Sequence, residues 1–259
     1  MRAAALALTL LALLAGCGRE PEKAARPPVD RTPVIFERAS PDARVKLTLP
    51  PGVTAWPALH QRLLTEGKRE LGDFLARATV DRQRILAENP QLPIYERTVA
   101  WTITARTDRL VSLQQRWEEY AGGAHGANGA ETLLWSKGGE APVLQSALFR
   151  ADADQQALDA LLCDAVKATK ARRMGAVAVD AGDWSCPTWS DSRAVLTNST
   201  VRGKAGGLTF LFDPYVLGPY SEGAYEVTIP QALFRQALAQ TWIGEFDGDP
   251  VAPTRPRAP

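Results

Sequence analysis

Histidine is almost absent from this 259-residue sequence, which holds only His60 and His125. No CxxC or HExxH pattern occurs in it. These absences exclude His-rich metal sites and the common zinc-enzyme motifs, which need those residues at those spacings. Cysteine is scarce too, with three residues. An excess of either charge is also missing: 30 Lys and Arg face 29 Asp and Glu, a formal charge of +1. Arg2 is the only charged residue among the first 16, so the remainder is neutral. Nucleic acid is therefore not an expected partner, because phosphate binding needs a basic surface. What is present is ordinary globular composition, 45% hydrophobic and 23% charged, with enough length for one large domain or two small ones. With 20 Gly and 19 Pro the fold should be rich in turns.

Residues 1–16 read as a signal peptide: Arg2 supplies the positive start, and Ala3 to Ala15 form an apolar run of about 13 residues, too short to span a bilayer. Leu14-Ala15-Gly16-Cys17 resembles a bacterial lipobox, which implies cleavage before Cys17 and a lipid on it. Gly18 in the following position implies outer-membrane sorting, facing the periplasm, if the host is Gram-negative. Residues 17–33 are charged and Pro-rich and read as a flexible tether. Cys163 and Cys186 are the remaining pair. In an oxidising periplasm they are expected to form a disulfide, closing a loop that contributes about 3 kcal/mol in the chain-entropy model. Neither has a neighbouring His or basic cluster of the kind that activates a thiol.

Strands are expected at 43–49, 97–105 and 224–229, where apolar and polar residues alternate, at 131–136 before the Gly138-Gly139 turn, and at 194–202 and 208–213 around the Gly203 to Gly207 turn. An amphipathic helix is expected over 56–79, extending toward Leu86. A second is expected over 152–173, capped by Asp152 with Gln155 three residues on. Lys167, Lys170, Arg172 and Arg173 near its C-terminus read as a solvated end that favours the helix dipole. A short helix should follow Pro230, and residues 247–259 read as a disordered tail. Residues 109–120 fit a helix through Leu110, Leu113, Trp117 and Tyr120, and a strand through Val111, Leu113 and Trp117; periodicity does not decide between them. Strands in runs, without regular β-α-β alternation, point to an α+β fold: an antiparallel sheet with packed helices.

Two segments stand out: Tyr120-Ala-Gly-Gly-Ala-His-Gly126, and Phe212-Asp-Pro-Tyr-Val-Leu-Gly-Pro-Tyr-Ser-Glu-Gly-Ala-Tyr-Glu-Val-Thr-Ile-Pro230. Together they resemble a bacterial envelope domain family of unknown function. That family occurs in the extracellular part of the lysozyme-sensing anti-sigma factor RsiV and in non-catalytic regions of peptidoglycan deacetylases. The core resemblance runs over about 95–241. It implies a larger C-terminal domain at 95–246, a small α+β N-terminal part at 34–94, and a strand over 109–121 leading into the glycine loop. The chain departs from those relatives in having no transmembrane or sigma-binding segment and no deacetylase metal site.

Gly122, Gly123 and Gly126 can serve a tight turn, or expose amides to a carboxylate or sugar. His125 can be a general base, a metal ligand or a structural residue donating to a carbonyl. Asp213, Glu222 and Glu226 among Tyr215, Tyr220 and Tyr225 resemble a glycosidase carboxylate pair only superficially, because turn chemistry accounts for them. Trp184 and Trp189 flank Cys186 and can anchor a partner or cover the disulfide. The expectation is a lipid-anchored, non-catalytic binding protein of the envelope, with neither cofactor nor metal. Tyr120, Gly122, Gly123, His125, Gly126, Tyr215, Tyr220, Glu222 and Tyr225 are its candidate binding residues, and a lysozyme-type hydrolase or peptidoglycan its partner. The alternatives are a cell-wall-acting enzyme using His125 and nearby carboxylates, and a purely structural lipoprotein.

Overall fold

In a computed structural model, residues 32–89, 91–139, 141–174 and 184–252 are described. Cys17 and the signal and tether residues up to 31 lie outside them. Among the described residues nine strands and two α-helices follow in the order β1 (Val34–Ala39), β2 (Ala43–Leu49), α1 (Pro57–Leu86), β3 (Tyr95–Arg106), β4 (Leu110–Tyr120), β5 (Ala127–Ser136), β6 (Ala141–Pro142), α2 (Gln155–Met174), β7 (Arg193–Asn198), β8 (Ala205–Phe212) and β9 (Tyr225–Pro230). The fold is α+β. β1 to β6 form one sheet in chain order, and β7 to β9 a second, antiparallel one. The first sheet is mixed, because β2 and β3 pair in parallel while its other neighbours are antiparallel. A parallel neighbour requires a crossover, and α1 is that crossover. The sheet is therefore continuous across residues 94 and 95.

α1 begins at Pro57, where proline's fixed φ suits a first helical turn. Its buried positions, Leu59, Leu63, Gly67, Leu71, Phe74, Leu75, Ala78 and Arg82, recur every three or four residues. They pack on Val45, Leu47, Val99, Val111 and Leu113 on one face of the first sheet. Arg82 is only 6% exposed. It donates to the carbonyls of Leu92 (2.9 Å) and Pro93, which fixes the return from α1 into β3. A second core joins Ala105 and Leu110 to Leu158, Leu162 and Val166 of α2 and to Leu196, Leu208, Phe210 and Val227 of the second sheet.

β4 is a strand, as the resemblance implied. Every residue from Leu110 to Gln115 is buried, because α1 covers one face and the second sheet the other. That removes the alternation that a half-buried strand shows and explains the ambiguous pattern. A bulge between Ile103 and Ala105 lets β3 turn Val99 to one core and Ala105 to the other. β1 was not foreseen; it is an edge strand with no buried residue, so its pattern carries little signal. β5 begins four residues earlier than expected, at Ala127.

Three expectations are corrected. The cap of α2 is Asp154, whose Oδ1 accepts from Ala157 N at 3.0 Å, while Asp152 pairs with Arg150. Asp247 to Val251 are not a free tail: Asp247 N donates to Ala205 O, Thr200 N to Asp249 O and Val251 N to Asn198 O. Backbone bonding of this kind needs no apolar residues, which is why composition missed it. The short helix expected after Pro230 is a pair of 3-10 turns, 231–233 and 235–237. No helix among the described residues is long and apolar enough to cross a membrane.

Glycine pairs matter at one point of this architecture. A Cβ on Gly207 would sit 2.2 Å from the Ile229 carbonyl oxygen, and one on Gly206 2.5 Å from that of Asp249. Gly72 on α1 faces open space. We expect Gly207→Ala to lower stability by about 1–3 kcal/mol, since backbone cannot yield to it. Gly72→Ala should raise stability by up to about 1 kcal/mol through helix propensity. Chemical denaturation of both variants checks the pair; equal effects would contradict the packing described.

Candidate functional site

The loop between β4 and β5 and the segment between β8 and β9 meet at one end of the molecule. Gly122 and Gly123 turn the first loop with φ of 85° and 92°, values that L side chains rarely adopt. The Tyr120 hydroxyl donates to Gly123 O at 3.4 Å and closes the loop on itself. His125 Nδ1 lies 2.8 Å from Gly126 O. Its ring stacks on Tyr220, centroids 4.6 Å apart and planes at 25°. Tyr220 in turn donates to Gly126 O at 3.3 Å and lies 5.4 Å from the Tyr215 ring. Tyr215, Tyr220 and His125 thus make a continuous row of rings. Tyr215 is 66% exposed, and Val216 beside it 48%.

Tyr215 is the only non-glycine residue with positive φ among the described residues, at 74°. Val216 N donates to Asp213 O across it, closing a turn with Pro214 and Tyr215 in the middle. Positive φ at the third position belongs to a type II turn, where Gly or Asn is usual. A tyrosine there costs about 1–3 kcal/mol and projects its ring into solvent.

The second segment is held from beneath by charged groups. Asp213 Oδ1 accepts from Ala130 N at 2.9 Å and Oδ2 from Arg193 at 2.5 Å, joining the second sheet to β5. Glu222 accepts from the Tyr225 hydroxyl and, at 3.0 Å, from Lys170 Nζ. Lys170 also donates to Leu217 O and lies over the rings of Trp184 and Tyr225. Arg173 donates to Ala224 O at 2.8 Å and to Glu222 O. The expectation of a solvated helix end is therefore corrected at Lys170, while Lys167, Arg172 and Arg173 are exposed. Lys170 is 1% exposed and continues the α2 stripe of Leu162 and Val166 at a spacing of four, and that spacing was the available signal. Gly218 makes room for the carboxylate, since a Cβ there would meet Glu222 Oε2 at 2.4 Å.

The Tyr225 hydroxyl holds the Glu222 carboxyl below its ordinary range, and Lys170 adds to this. Burial, then the Glu222 carboxylate, pushes the Tyr225 phenol up to about 12. Of the expected binding residues, Tyr120, Gly122, Gly123, His125, Gly126, Tyr215 and Tyr220 are brought together at the loops. Glu222 and Tyr225 are turned inward beneath them. Trp189 is 2% exposed and packs between Phe149, Phe210 and Phe234, so it is a core residue and not a partner anchor. Cys163 and Cys186 form a disulfide with Cα atoms 5.1 Å apart, tying α2 to the segment that carries Trp184. Among the described residues no group of three or more His, Cys, Asp and Glu side chains is placed to hold a metal ion.

Residues 146–232 match the family described as a protein of unknown function, DUF3298. What these residues are similar to is a domain of unknown function, as the motifs suggested. The second motif, 212–230, lies inside the matched span, and the glycine loop outside it. The structure resembles that of a DUF3298 family member from Bacteroides fragilis, with 18% identity, 83% of this chain and 95% of that chain covered, and a TM-score of 0.63. It also resembles a DUF3298 family protein from Pseudomonas aeruginosa, with 16% identity, 85% and 96% covered, and a TM-score of 0.57. At these identities the likeness is one of fold. No curated protein matches the chain.

The raised phenol gives a signed pH dependence. Tyr225 contributes stability that is fully present below pH 10.0, its ordinary value, and lost as pH rises toward about 12. Glu222 acts in the opposite sense, its contribution being present above 4.5 and lost as pH falls below that ordinary value. Absorbance titration should show one of the five tyrosines ionising later than the rest. Tyr225→Phe should remove that late step and flatten the alkaline fall in melting temperature. A late step that survives the substitution would refute the assignment.

Proposed function

We propose that this chain is a lipid-anchored, non-catalytic binding protein of the bacterial cell envelope that recognises a lysozyme-type hydrolase. Cys17 would carry the lipid and residues 17–33 would lift the domain from the membrane, facing the periplasm in a Gram-negative host. One observation carries the binding reading: Tyr215 and His125 stand exposed on either side of the half-buried Tyr220, in a row of rings on two loops that polar groups fix from below. Exposed tyrosines on rigid loops supply large contact area at low entropic cost, which is how interface anchors work. The strained φ at Tyr215 supports the same reading, because strain is retained where an outward ring has a use.

General base chemistry at His125 would require an oriented carboxylate and a nucleophile. The groups in contact with its ring are the Gly126 carbonyl and Tyr220. Peptidoglycan is the second reading, favoured by the near-parallel His125 and Tyr220 rings, whose flat faces suit a sugar ring.

Calorimetric titration of the soluble mature chain, Cys17 removed and the disulfide intact, with a c-type lysozyme and then with peptidoglycan fragments tests this. Micromolar or tighter binding to lysozyme is expected. Tyr215→Gly should weaken it at least about tenfold, which is about 1.4 kcal/mol. The same variant should keep its melting temperature, because glycine relieves the positive φ. Absence of heat with both ligands across temperatures would overturn the proposal.

A further inference from the structure

A second feature lies outside the ring row, in the seam between β4–β5 and β8–β9. A crevice of about 80 Å³ opens there. It is lined by Gln114, Arg116, Glu118, Asn128, Asp213 and Glu226 among others. Gln114 is 8% exposed, and its buried Nε2 has no hydrogen-bond partner. Next to it Ala130, Val195 and Leu211 form a small apolar cluster. Leu or Met would pack at position 114 without leaving a donor unpaired, so the amide is a costly choice unless something bonds to it.

We propose that this crevice is a subsite for a small neutral amide group, such as the acyl-amide of an N-acylated sugar or the peptide unit of a short peptide. Three observations select that chemistry. The first is the pairing: the unpartnered end of the Gln114 side chain is a donor as assigned, or an acceptor if the amide is flipped, and an amide can answer either. The second is charge. Glu118, Asp213 and Glu226 line the space; Arg116 pairs with Glu226 and Arg193 with Asp213, which leaves one carboxylate, Glu118, in excess. Carboxylates there repel an anion, and a cation offers no acceptor to Nε2. The third is size. One water needs about 10–15 Å³ of such space, so the crevice takes about five to eight heavy atoms, and an acetamido group has four. This subsite lies beneath the loops and does not depend on the partner assigned above.

The test is a proton–nitrogen NMR titration of the intact chain, in detergent if it carries lipid. The probes are N-acetylglucosamine, N-acetylalanine methylamide, glucosamine and acetate. One or both acylated probes should shift the Gln114 side-chain signals and the backbone amides of Asn128 and Glu226, and glucosamine and acetate should not. The acylated probe that binds identifies the source as glycan or peptide. Gln114→Met should weaken that binding at least tenfold, and melt no lower than the parent because it removes an unpaired polar group. Absence of shift with both acylated probes would mean that only water occupies the space. Equal binding by Gln114→Met, or a lower melting temperature for it, would likewise overturn the proposal.

Discussion

Burial of β4 on both faces is the constraint from which most of this structure follows. α1 lies on one side of the strand and the second sheet on the other, so β4 belongs to two cores. A central strand flanked this way cannot shift by one residue without exchanging its two faces. Its buried polar residues then depend on neighbouring strands for partners, which Ser112 finds and the Gln114 amide nitrogen does not. Ser112 shows how: its hydroxyl accepts from Leu196 N at 2.9 Å and from the Thr104 hydroxyl at 3.0 Å. One side chain therefore joins β3, β4 and β7. The bulge in β3 belongs to the same solution, since it redirects that strand from one core to the other.

The remaining joints are also polar contacts, buried at Glu245 and Lys170 and half-buried at Asp213. Glu245 is 4% exposed and accepts from the Thr107 hydroxyl at 2.6 Å and from Arg109 N at 3.0 Å, fastening the C-terminal segment to the β3–β4 turn. Asp213 ties the second sheet to β5, and Lys170 with Glu222 ties α2 to the connection before β9. Buried charge pairs seldom add much net stability, because desolvation offsets their attraction. Their geometric demands are strict, however, and a loop held by several of them has few alternative conformations. Position, more than stability, is what these contacts supply.

The sequence made the apolar architecture readable and left the polar architecture mostly hidden. Leu59, Leu63 and Leu71 announce α1, and Tyr225, Val227 and Ile229 announce β9, because burial on one face imposes a period. β4 lost its period when both faces were covered, and β1 never acquired one. Lys170 was read as a solvated end although it continues a spacing of four from Leu162 and Val166; residue type outweighed position in that reading. The glycine loop and the Pro-Tyr segment were recognisable as unusual, and they do meet. That Tyr215 has positive φ, or that Gln114 has an unpaired amide, depends on three-dimensional neighbours from other strands. No local pattern encodes such neighbours.

The ring row gains its meaning from what lies beneath it. Three aromatic side chains on mobile loops would give up much of their contact energy to ordering on association. Here the loops are ordered beforehand. Tyr220 bonds across to Gly126, His125 stacks on Tyr220, and Asp213 anchors the turn that carries Tyr215. The strain at Tyr215 can persist only because that surrounding network over-determines the turn. A catalytic reading would instead place the unusual groups, the Lys170–Glu222–Tyr225 cluster, where a substrate could reach them. They are enclosed, with Lys170 and Tyr225 at 1% and 2% exposure. Buried charge fixes the scaffold, and the Tyr215 and His125 rings face outward on it. That division of labour is the one the proposed recognition of a partner surface would use.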